Sequence, residues 1–433
     1  MFMKERIKIY ILVFLAILMI ANLFLAFMPS FPIAFIILFV QFYCLRKEDW
    51  AFVFLILGTV FGAYFAQNGI RFVGSTLMLV SSVVLLYGLR QQLFEFLKSF
   101  APLYLFLALA LFSIAISTGG DYSASKFTSM LIAVVIYSIA YVHLLLRSRE
   151  HNMLYIGFMI LIYSLFMVYY MTEIMGTRLS LESFLYSFAG FRNDLNTYKY
   201  ESRDAFTINY QELGMYACVG LVFSIFSRAS NSKWLKLLAI VFSFVVVWYS
   251  SARQAFLVFV LILLSYAVLS KKLNIKYLVF LSVILMLGYT WMFFLDAESM
   301  AFLMGSTEGE GSARDRIIKV AMSQFYQNSL LGVGFGRFYI DNEYGCNEHN
   351  LFVELLAEMG IVGLLFFFVP ILNAFVSSYK YIKRHILEFS PFLCLFLAYF
   401  VRSLVSSDLR ETILVLIMAL VIKKGYTYKI WGL

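Results

Sequence analysis

The sequence predicts an all-α, polytopic membrane protein with 12–14 transmembrane helices and two long extracytoplasmic loops. Of its 433 residues, 62% are hydrophobic and only 14% are charged, whereas soluble domains have about 45–50% apolar and about 25% charged residues. Apolar runs long enough to cross a bilayer recur along the whole chain. Long polar connections interrupt these runs only twice. The composition therefore excludes a soluble enzyme and a disordered chain.

The apolar runs give fourteen candidate spans, judged against the roughly 20 residues that a spanning helix needs. They cover 7–27, 31–45, 50–66, 70–89, 101–117, 127–146, 153–171, 210–227, 234–250, 254–270, 277–295, 350–378, 389–406 and 410–422. The second and the last are short, so twelve or thirteen spans are also compatible with the sequence. The first run is too long for the apolar core of a signal peptide, and we interpret it as a retained span.

The lysines and arginines predict the orientation of the chain, because cytoplasmic loops are enriched in positive charge. With the N- and C-termini in the cytoplasm, every inner segment carries at least two of these residues. Topology therefore explains most of the net charge of +9, and membrane lipid, not nucleic acid, is the expected surrounding of the protein. The four cysteines are far apart and form neither a zinc nor a disulfide pattern.

Residues 1–433 are expected to form a single integral membrane domain with two long outer loops. The first loop covers 172–209 and the second covers 296–349. Loops of this length in a compact protein are usually functional. The first carries Arg192 and Arg203 among several tyrosines, which is typical of a sugar-binding lid.

Several positive residues fall on the outer side, against the usual charge bias. Lys126 is interpreted as a solvated loop charge. Arg253 lies in a three-residue turn between two apolar spans, where an arginine normally faces a partner or a functional site. Arg402 and Arg410 flank Asp408 near the outer ends of the last two spans, so an intramembrane ion pair with Asp408 or Glu411 is expected there.

The second loop contains a predicted amphipathic helix from about residue 312. Ser312 and Asp315 fit a capping box, and apolar residues follow at helical spacing. We expect this helix to lie on the outer membrane surface. Arg314 and Arg316 in its first turn, together with free backbone N–H groups, suit a phosphate group. The alternative is that Asp315 and Glu310 neutralise the two arginines.

The end of the second loop contains a glycine turn and a lone outward histidine. The segment LGVGFGR, residues 331–337, lacks the spacing and the strand–helix context of a dinucleotide fingerprint. Asn350 is expected to cap the span that follows. His349 is the one histidine of four that is predicted to face outward, and it is either structural or part of a site.

Taken in order, these motifs resemble the O-antigen ligase and polymerase superfamily, which comprises Wzy-type polymerases and their ligase relatives. They are Ser-Ala-Arg253 at an outer helix junction, Arg314 before an amphipathic helix, LLGVGFG ending at Gly336, and HNLFVELLAEMGIVG from His349 to Gly363. The glycine run and the HN…E-x-G run are specific as a pair, and the resemblance covers residues 250–365.

The resemblance implies a metal-independent, inverting glycosyltransferase that needs no cofactor and acts on the outer face of the bacterial inner membrane. Its donor would be an undecaprenyl-pyrophosphate-linked oligosaccharide. By resemblance, Arg253 and Arg314 bind the pyrophosphate and His349 helps to activate the acceptor hydroxyl. The remaining candidates for substrate binding are Arg316, Arg337, Asn350, Arg192 and Arg203.

Two activities of this superfamily use the same donor. A polymerase adds the growing glycan to a new lipid-linked repeat unit, whereas a ligase transfers it to lipid A-core. The span count and the wide first loop favour the polymerase. A flippase for lipid-linked oligosaccharides is a weaker alternative, because the sequence shows no internal repeat and its unexplained charges cluster at the outer surface. The resemblance also implies a chain-length regulator as a partner.

Overall fold

The computed structural model confirms the all-α fold class. It describes residues 2–25, 28–44, 71–88, 98–117, 120–147, 150–174, 210–227, 232–250, 252–269, 313–342, 348, 350–405 and 409–431. These residues form fourteen α-helices, and no β-strand occurs among them. The helices are α1 (Phe2–Leu25), α2 (Ser30–Cys44), α3 (Arg71–Gly88), α4 (Ala101–Ile116), α5 (Asp121–Arg147), α6 (Glu150–Ile174), α7 (Tyr210–Phe226), α8 (Lys233–Ser250), α9 (Arg253–Leu269), α10 (Ala313–Gln327), α11 (Arg337–Asp341), α12 (Leu351–Arg384), α13 (Ile386–Val405) and α14 (Leu409–Trp431).

Many of these helices have the length and composition of membrane spans. Six described segments are long and apolar enough to cross a bilayer: Ile7–Leu25, Asp121–Leu144, Met153–Glu173, Lys233–Ser250, Leu351–Arg384 and Ile386–Leu404. Shorter apolar helices accompany them, in α2, α3, α4, α7 and α9. The predicted spans 50–66 and 277–295 lie outside the described residues. The chain is a multi-pass membrane protein.

Contacts divide the chain into two compact units. The first comprises Met1–Tyr87 and Arg147–Ser299. Within it, α6 packs against α1, α2, α7 and α8 and is buried along almost its whole length. The backbones of α6 and α7 approach closely, because a Cβ on Gly157 would collide with the carbonyl oxygen of Gly220. Small residues at such crossings allow helices to pack tightly in a membrane.

The second unit comprises Gly88–Leu146 and Met300–Leu433. Here α12 packs against α4, α10, α13 and α14, and α14 is buried from Thr412 to Ile422. The domain division expected from the sequence stays a prediction. Of the first long loop, only 172–174 are described, as the end of α6, and of the second loop 296–312, 343–347 and 349 lie outside the described residues.

Candidate functional site

Helix α12 is interrupted at Gly360, although the sequence predicted one continuous span there. Gly360 has φ 62° and ψ −163°, so two helical segments meet at this residue. A positive φ strains any residue with a Cβ, and glycine is the residue that adopts it without cost. A break in a membrane helix leaves backbone groups without intrahelical partners, and these groups need other partners.

Residues 329–336, here called the glycine loop, supply those partners. Four backbone hydrogen bonds join the loop to the break, with the N–H donor named first: Val333 to Ala357 (2.8 Å), Gly334 to Glu358 (3.0 Å), Ile361 to Ser329 (2.9 Å) and Val362 to Leu330 (3.2 Å). Three loop glycines, at 332, 334 and 336, have positive φ. The two motifs that the sequence marked as a specific pair therefore form one structural element.

Gly360→Ala is expected to destabilise the protein by about 1–3 kcal/mol, because it forces a Cβ into a left-handed backbone conformation. The new Cβ would also approach the Leu330 carbonyl to under 3.0 Å. Thermal unfolding of the detergent-solubilised protein measures the effect. Gly120→Ala is the matched control, since nothing lies within 4 Å of a Cβ built there. Equal melting temperatures for the two variants would contradict the role assigned to the break.

A buried group of four charged side chains lies beside the break, and we call it the ionic cluster. It consists of Lys126 on α5, Glu348, and Glu354 and Glu358 on α12. The Lys126 Nζ lies 2.6 Å from Glu354 Oε1 and 2.8 Å from both carboxylate oxygens of Glu358. Glu354 Oε1 also accepts a hydrogen bond from the Leu409 backbone N–H at 2.8 Å. The cluster thus joins α5, α12 and the start of α14.

The interpretation of Lys126 as a solvated loop charge is wrong. The side chain has no exposed area and lies within helix α5. Its partner Glu358 is 232 residues away in the chain, so no local pattern could reveal the pair. The sequence did indicate that a buried cation is needed, because Glu354 and Glu358 lie one turn apart within a predicted span. Carboxylates in a span are costly without a partner, so they required a cation from elsewhere in the protein.

Glu348 is the member of the cluster that forms no ion pair with another described residue. Its side chain is 2% exposed, and neither carboxyl oxygen has a hydrogen-bond partner on another described residue. Burial, followed by the charges of Glu358 and Glu354, raises the pKa of Glu348 well above its ordinary value, and Lys126 opposes the shift. Glu348 therefore keeps its proton at a pH where an exposed glutamate has lost it.

The same carboxylates are the described groups that come closest to a metal-binding arrangement. One oxygen each from Glu348, Glu354 and Glu358 lies within 4.8 Å of the others. However, the Lys126 ammonium already contacts two of these three side chains. A divalent ion would have to share this space with a fixed positive charge, so the arrangement fits an internal cation better than a metal.

The glycine loop also contacts the ionic cluster through Phe335. The Lys126 Nζ lies 5.1 Å from the centre of the Phe335 ring, within the range of a cation–π interaction. The Phe335 backbone N–H donates to Ser113 Oγ at 2.9 Å. The loop, α4, α5 and the start of α12 are therefore fixed together.

Asn350 begins α12, as the sequence predicted. Its side-chain oxygen accepts hydrogen bonds from the backbone N–H groups of Phe352 and Val353, at 3.0 and 3.2 Å. Its Nδ2 donates to the Leu404 carbonyl at 3.0 Å. Asn350 thus fixes the first turn of α12 to the last turn of α13.

Helix α10 lies where the sequence predicts an amphipathic helix, and one of its faces is partly buried. Its buried residues Ile317 and Ala321 form an apolar cluster with Phe338 and Ala357, and Val353 packs against that cluster. The buried part of the apolar face therefore packs against α11 and α12, and the placement of α10 on the outer membrane surface stays a prediction. Periodicity identifies an apolar face, but it does not say what covers that face.

The predicted arginines occupy different helices. Arg253 is the first residue of α9, in the first unit, and Arg314 is the second residue of α10, in the second unit. Arg316 is exposed on α10. Arg337 begins α11, and its Nε lies 2.6 Å from Asp341 Oδ2, with both side chains about one-third exposed. The ion pair of Arg337 is local, so its substrate-binding role stays a prediction.

Within the second unit, the structure brings α10 close to the start of α12. Ile317 on α10 and Val353 on α12 pack in the same apolar cluster. Arg314 lies one turn before Ile317, and Asn350 lies three residues before Val353. His349, Arg192 and Arg203 lie outside the described residues. The same is true of Asp408, so the ion pair expected for Arg402 and Arg410 stays a prediction.

The fold and this site define a class, namely a helical, multi-pass membrane protein whose second unit carries a broken helix and a buried ionic cluster. Residues 216–368 match the Wzy_C family model, which is described as O-antigen ligase. The match confirms the resemblance to the O-antigen ligase and polymerase superfamily. It extends from α7 to the second segment of α12 and includes the glycine loop. Among curated proteins, none matches the chain.

The family is enzymatic and transfers glycans, and it implies lipid-linked glycan substrates in a membrane environment. The matched segment contains Arg253, Arg314 and His349, together with Glu348, Glu354 and Glu358 of the ionic cluster. Lys126, the fourth member of the cluster, lies outside the match. Sequence reasoning about the matched motifs alone therefore could not find the cation that Glu354 and Glu358 share.

Proposed function

We propose that the protein polymerises undecaprenyl-pyrophosphate-linked oligosaccharide repeat units on the outer face of the bacterial inner membrane. The family match over 216–368 supports this most directly, because it spans the outer-loop motifs and the three proposed catalytic residues. The packing of α10 on the start of α12 also supports it, since it holds the segment bearing Arg314 near the segment that follows His349.

The proposed reaction is an inverting glycosyl transfer. The acceptor hydroxyl oxygen attacks the anomeric carbon of the donor, and the bond from that carbon to the pyrophosphate oxygen breaks. Negative charge develops on the departing oxygen. Two guanidinium groups, from Arg253 and Arg314, would stabilise this charge, and they suit a metal-independent mechanism because each can form paired hydrogen bonds to phosphate oxygens.

The acceptor hydroxyl must lose a proton during this attack. An imidazole with a pKa near its usual value of about 6.5 can accept that proton at neutral pH. We assign this role to His349. The residues on both sides of it are anchored, since Glu348 is buried in the ionic cluster and Asn350 caps α12. Arg316, Arg337, Arg192 and Arg203 remain proposed contacts to the glycan or its phosphates.

Arg253→Lys is expected to reduce turnover by about 10²–10³-fold, although it keeps the positive charge. An ammonium group cannot reproduce the paired hydrogen bonds that a guanidinium forms with a phosphate. Transfer by the purified protein in detergent, using lipid-linked repeat units isolated from a deletion strain, measures the loss. Arg384→Lys at the far end of α12 is the control. If Arg253→Lys turns over at the wild-type rate, Arg253 does not bind the pyrophosphate in the proposed site.

The product pattern of a deletion strain tests the proposed function as a whole. Loss of a polymerase leaves single repeat units attached to lipid A-core. The alternative is an O-antigen ligase, which belongs to the same superfamily, and its loss would instead leave lipid-linked polymer and bare core. Chain extension by the purified protein without a partner would exclude a flippase.

Location and partners follow from the same proposal. Both termini are expected in the cytoplasm, and fusions of alkaline phosphatase to positions 172–209 and 296–349 should be active if these loops lie outside. A chain-length regulator is the proposed protein partner. Co-purification from membranes with crosslinking would identify it.

A further inference from the structure

We propose that the glycine loop lies at one boundary of the hydrocarbon core of the membrane, where the exposed side chains of Tyr326, Leu330 and Leu331 contact bilayer lipid. Tyr326 belongs to the last turn of α10, and the two leucines belong to the loop. In the proposed orientation this boundary is the outer one. The inference goes beyond the proposed function, because it concerns a lipid-binding surface and does not depend on glycosyl transfer.

The second segment of α12, residues 361–384, carries a continuous apolar stripe on its exposed face. Large apolar side chains recur there at intervals of one helical turn and are exposed: Ile361, Leu365, Val369, Leu372 and Val376. The segment belongs to a helix that is long and apolar enough to cross a bilayer. An exposed apolar face on such a helix is covered by lipid.

The length of this segment indicates the depth of the break in α12. The exposed Tyr379 and Lys380 end the apolar stripe, as aromatic and positively charged residues do at a membrane boundary. A hydrocarbon core of about 30 Å corresponds to about 20 helical residues at 1.5 Å per residue. Counted from Lys380, this length ends at Gly360. The break therefore lies at the opposite boundary of the core.

Helix α4 indicates the same depth for the glycine loop. The exposed Lys98 precedes α4, and Ser117 follows it. The 16 helical residues between them extend about 24 Å, which approaches the thickness of the hydrocarbon core. A Cβ on Gly334 would collide with the Ser117 side chain, so the loop contacts the end of α4 that is remote from Lys98. Because α4 packs against α12, the two helices give consistent measures of depth within the second unit.

The exposed surface of the loop is apolar and continues the stripe on α12. Tyr326, Leu330 and Leu331 are 74%, 67% and 42% exposed, and residues 320–336 include no charged residue. Leu330 lies beside the start of the stripe, because its carbonyl accepts the Val362 N–H at 3.2 Å. Since the same apolar surface runs from a membrane span onto the loop, bilayer lipid is the partner that this surface fits.

The accessibility of spin labels measures the depth of these residues. Each variant carries one cysteine for a nitroxide label, in a chain whose four native cysteines are replaced by alanine. The labelled protein is reconstituted in vesicles of phosphatidylethanolamine and phosphatidylglycerol. Oxygen concentrates in the hydrocarbon core, whereas a nickel chelate stays in water, so the ratio of their collision rates with the label rises with depth.

We expect the ratio of oxygen to nickel collision rates at Leu330→Cys to be close to that at Ile361→Cys. It should exceed the ratio at Asp121→Cys, the control, because Asp121 is an exposed acidic residue at the start of α5. Along α12 the ratio should be highest near Val369, midway between Gly360 and Lys380, and should fall toward Ile361.

Three outcomes would overturn the proposal. A ratio at Leu330→Cys equal to that at Asp121→Cys would place the loop in water. A ratio that still rises from Val369 to Ile361 would place the break inside the hydrocarbon core. Low collision rates with both reagents at Leu330→Cys would mean that protein, such as a second copy of the chain, covers the patch. If Leu330→Cys does not fold, Leu331→Cys and Tyr326→Cys test the same surface. These measurements need no glycan substrate, so they remain decisive even if the proposed function fails.

Discussion

His349→Ala is expected to abolish chain elongation, with a loss of about 10²–10⁴-fold in turnover, while expression and membrane insertion persist. Without the imidazole, the proton of the acceptor hydroxyl has no positioned acceptor during attack on the anomeric carbon. The substitution should leave the fold intact, because Asn350 caps α12 and Glu348 lies in the ionic cluster independently of residue 349. The glycan ladder of cells carrying the variant measures the loss.

Arg314→Ala should give the same phenotype, because the pyrophosphate would lose one of its two proposed guanidinium partners. Two controls match these changes. His385→Ala removes a histidine at the junction of α12 and α13, where its Nδ1 lies 3.5 Å from Glu388, and Arg384→Ala removes an arginine from the last turn of α12. Both controls should elongate normally. Wild-type ladders from His349→Ala or Arg314→Ala would refute the assigned site.

Lys126→Met is expected to lower stability by about 3–5 kcal/mol, because it removes the ammonium group that contacts two buried carboxylates. Methionine nearly preserves the length of the side chain, so the loss reports on charge more than on packing. The melting temperature and the monodisperse fraction of the protein after heating in detergent measure the change. The exposed Lys380 on α12 provides the control variant, Lys380→Met, which should melt like the wild type.

A compensating variant separates this electrostatic explanation from a packing defect. Lys126→Met combined with Glu354→Gln and Glu358→Gln removes the cation and the two anions that it contacts. Replacing all charged members of a buried group is often nearly neutral, whereas removing one member is costly. The triple variant should therefore be more stable than Lys126→Met alone. If the triple variant is no more stable than Lys126→Met, the charges of the ionic cluster do not stabilise the second unit.

The sequence predicted those features that local patterns encode. Asn350 as a helix cap and α10 as an amphipathic helix follow from residue type and spacing along short segments. The break at Gly360 did not follow, because a glycine within an apolar run also fits an unbroken helix. Hydrogen bonds from a loop about 30 residues earlier in the chain pair the backbone groups at the break.

The ionic cluster, too, depends on contacts between residues that are far apart in the sequence. Lys126 alone looks like a loop charge, and its role depends on Glu354 and Glu358, which are far away in the chain but next to it in space. The catalytic roles of Arg253, Arg314 and His349 were inferred from resemblance and stay predictions. Position within an apolar span remains informative, however, because a carboxylate there requires a partner even before that partner is known.

The four hydrogen bonds between the glycine loop and α12 join main-chain atoms. Side chains in the loop, such as the largely exposed Leu330, do not form these hydrogen bonds. The loop can therefore keep its attachment while its outward side chains are exchanged, provided that the glycines remain. Replacing the exposed side chains of the loop should therefore leave its attachment to α12 intact, whereas replacing its glycines should not.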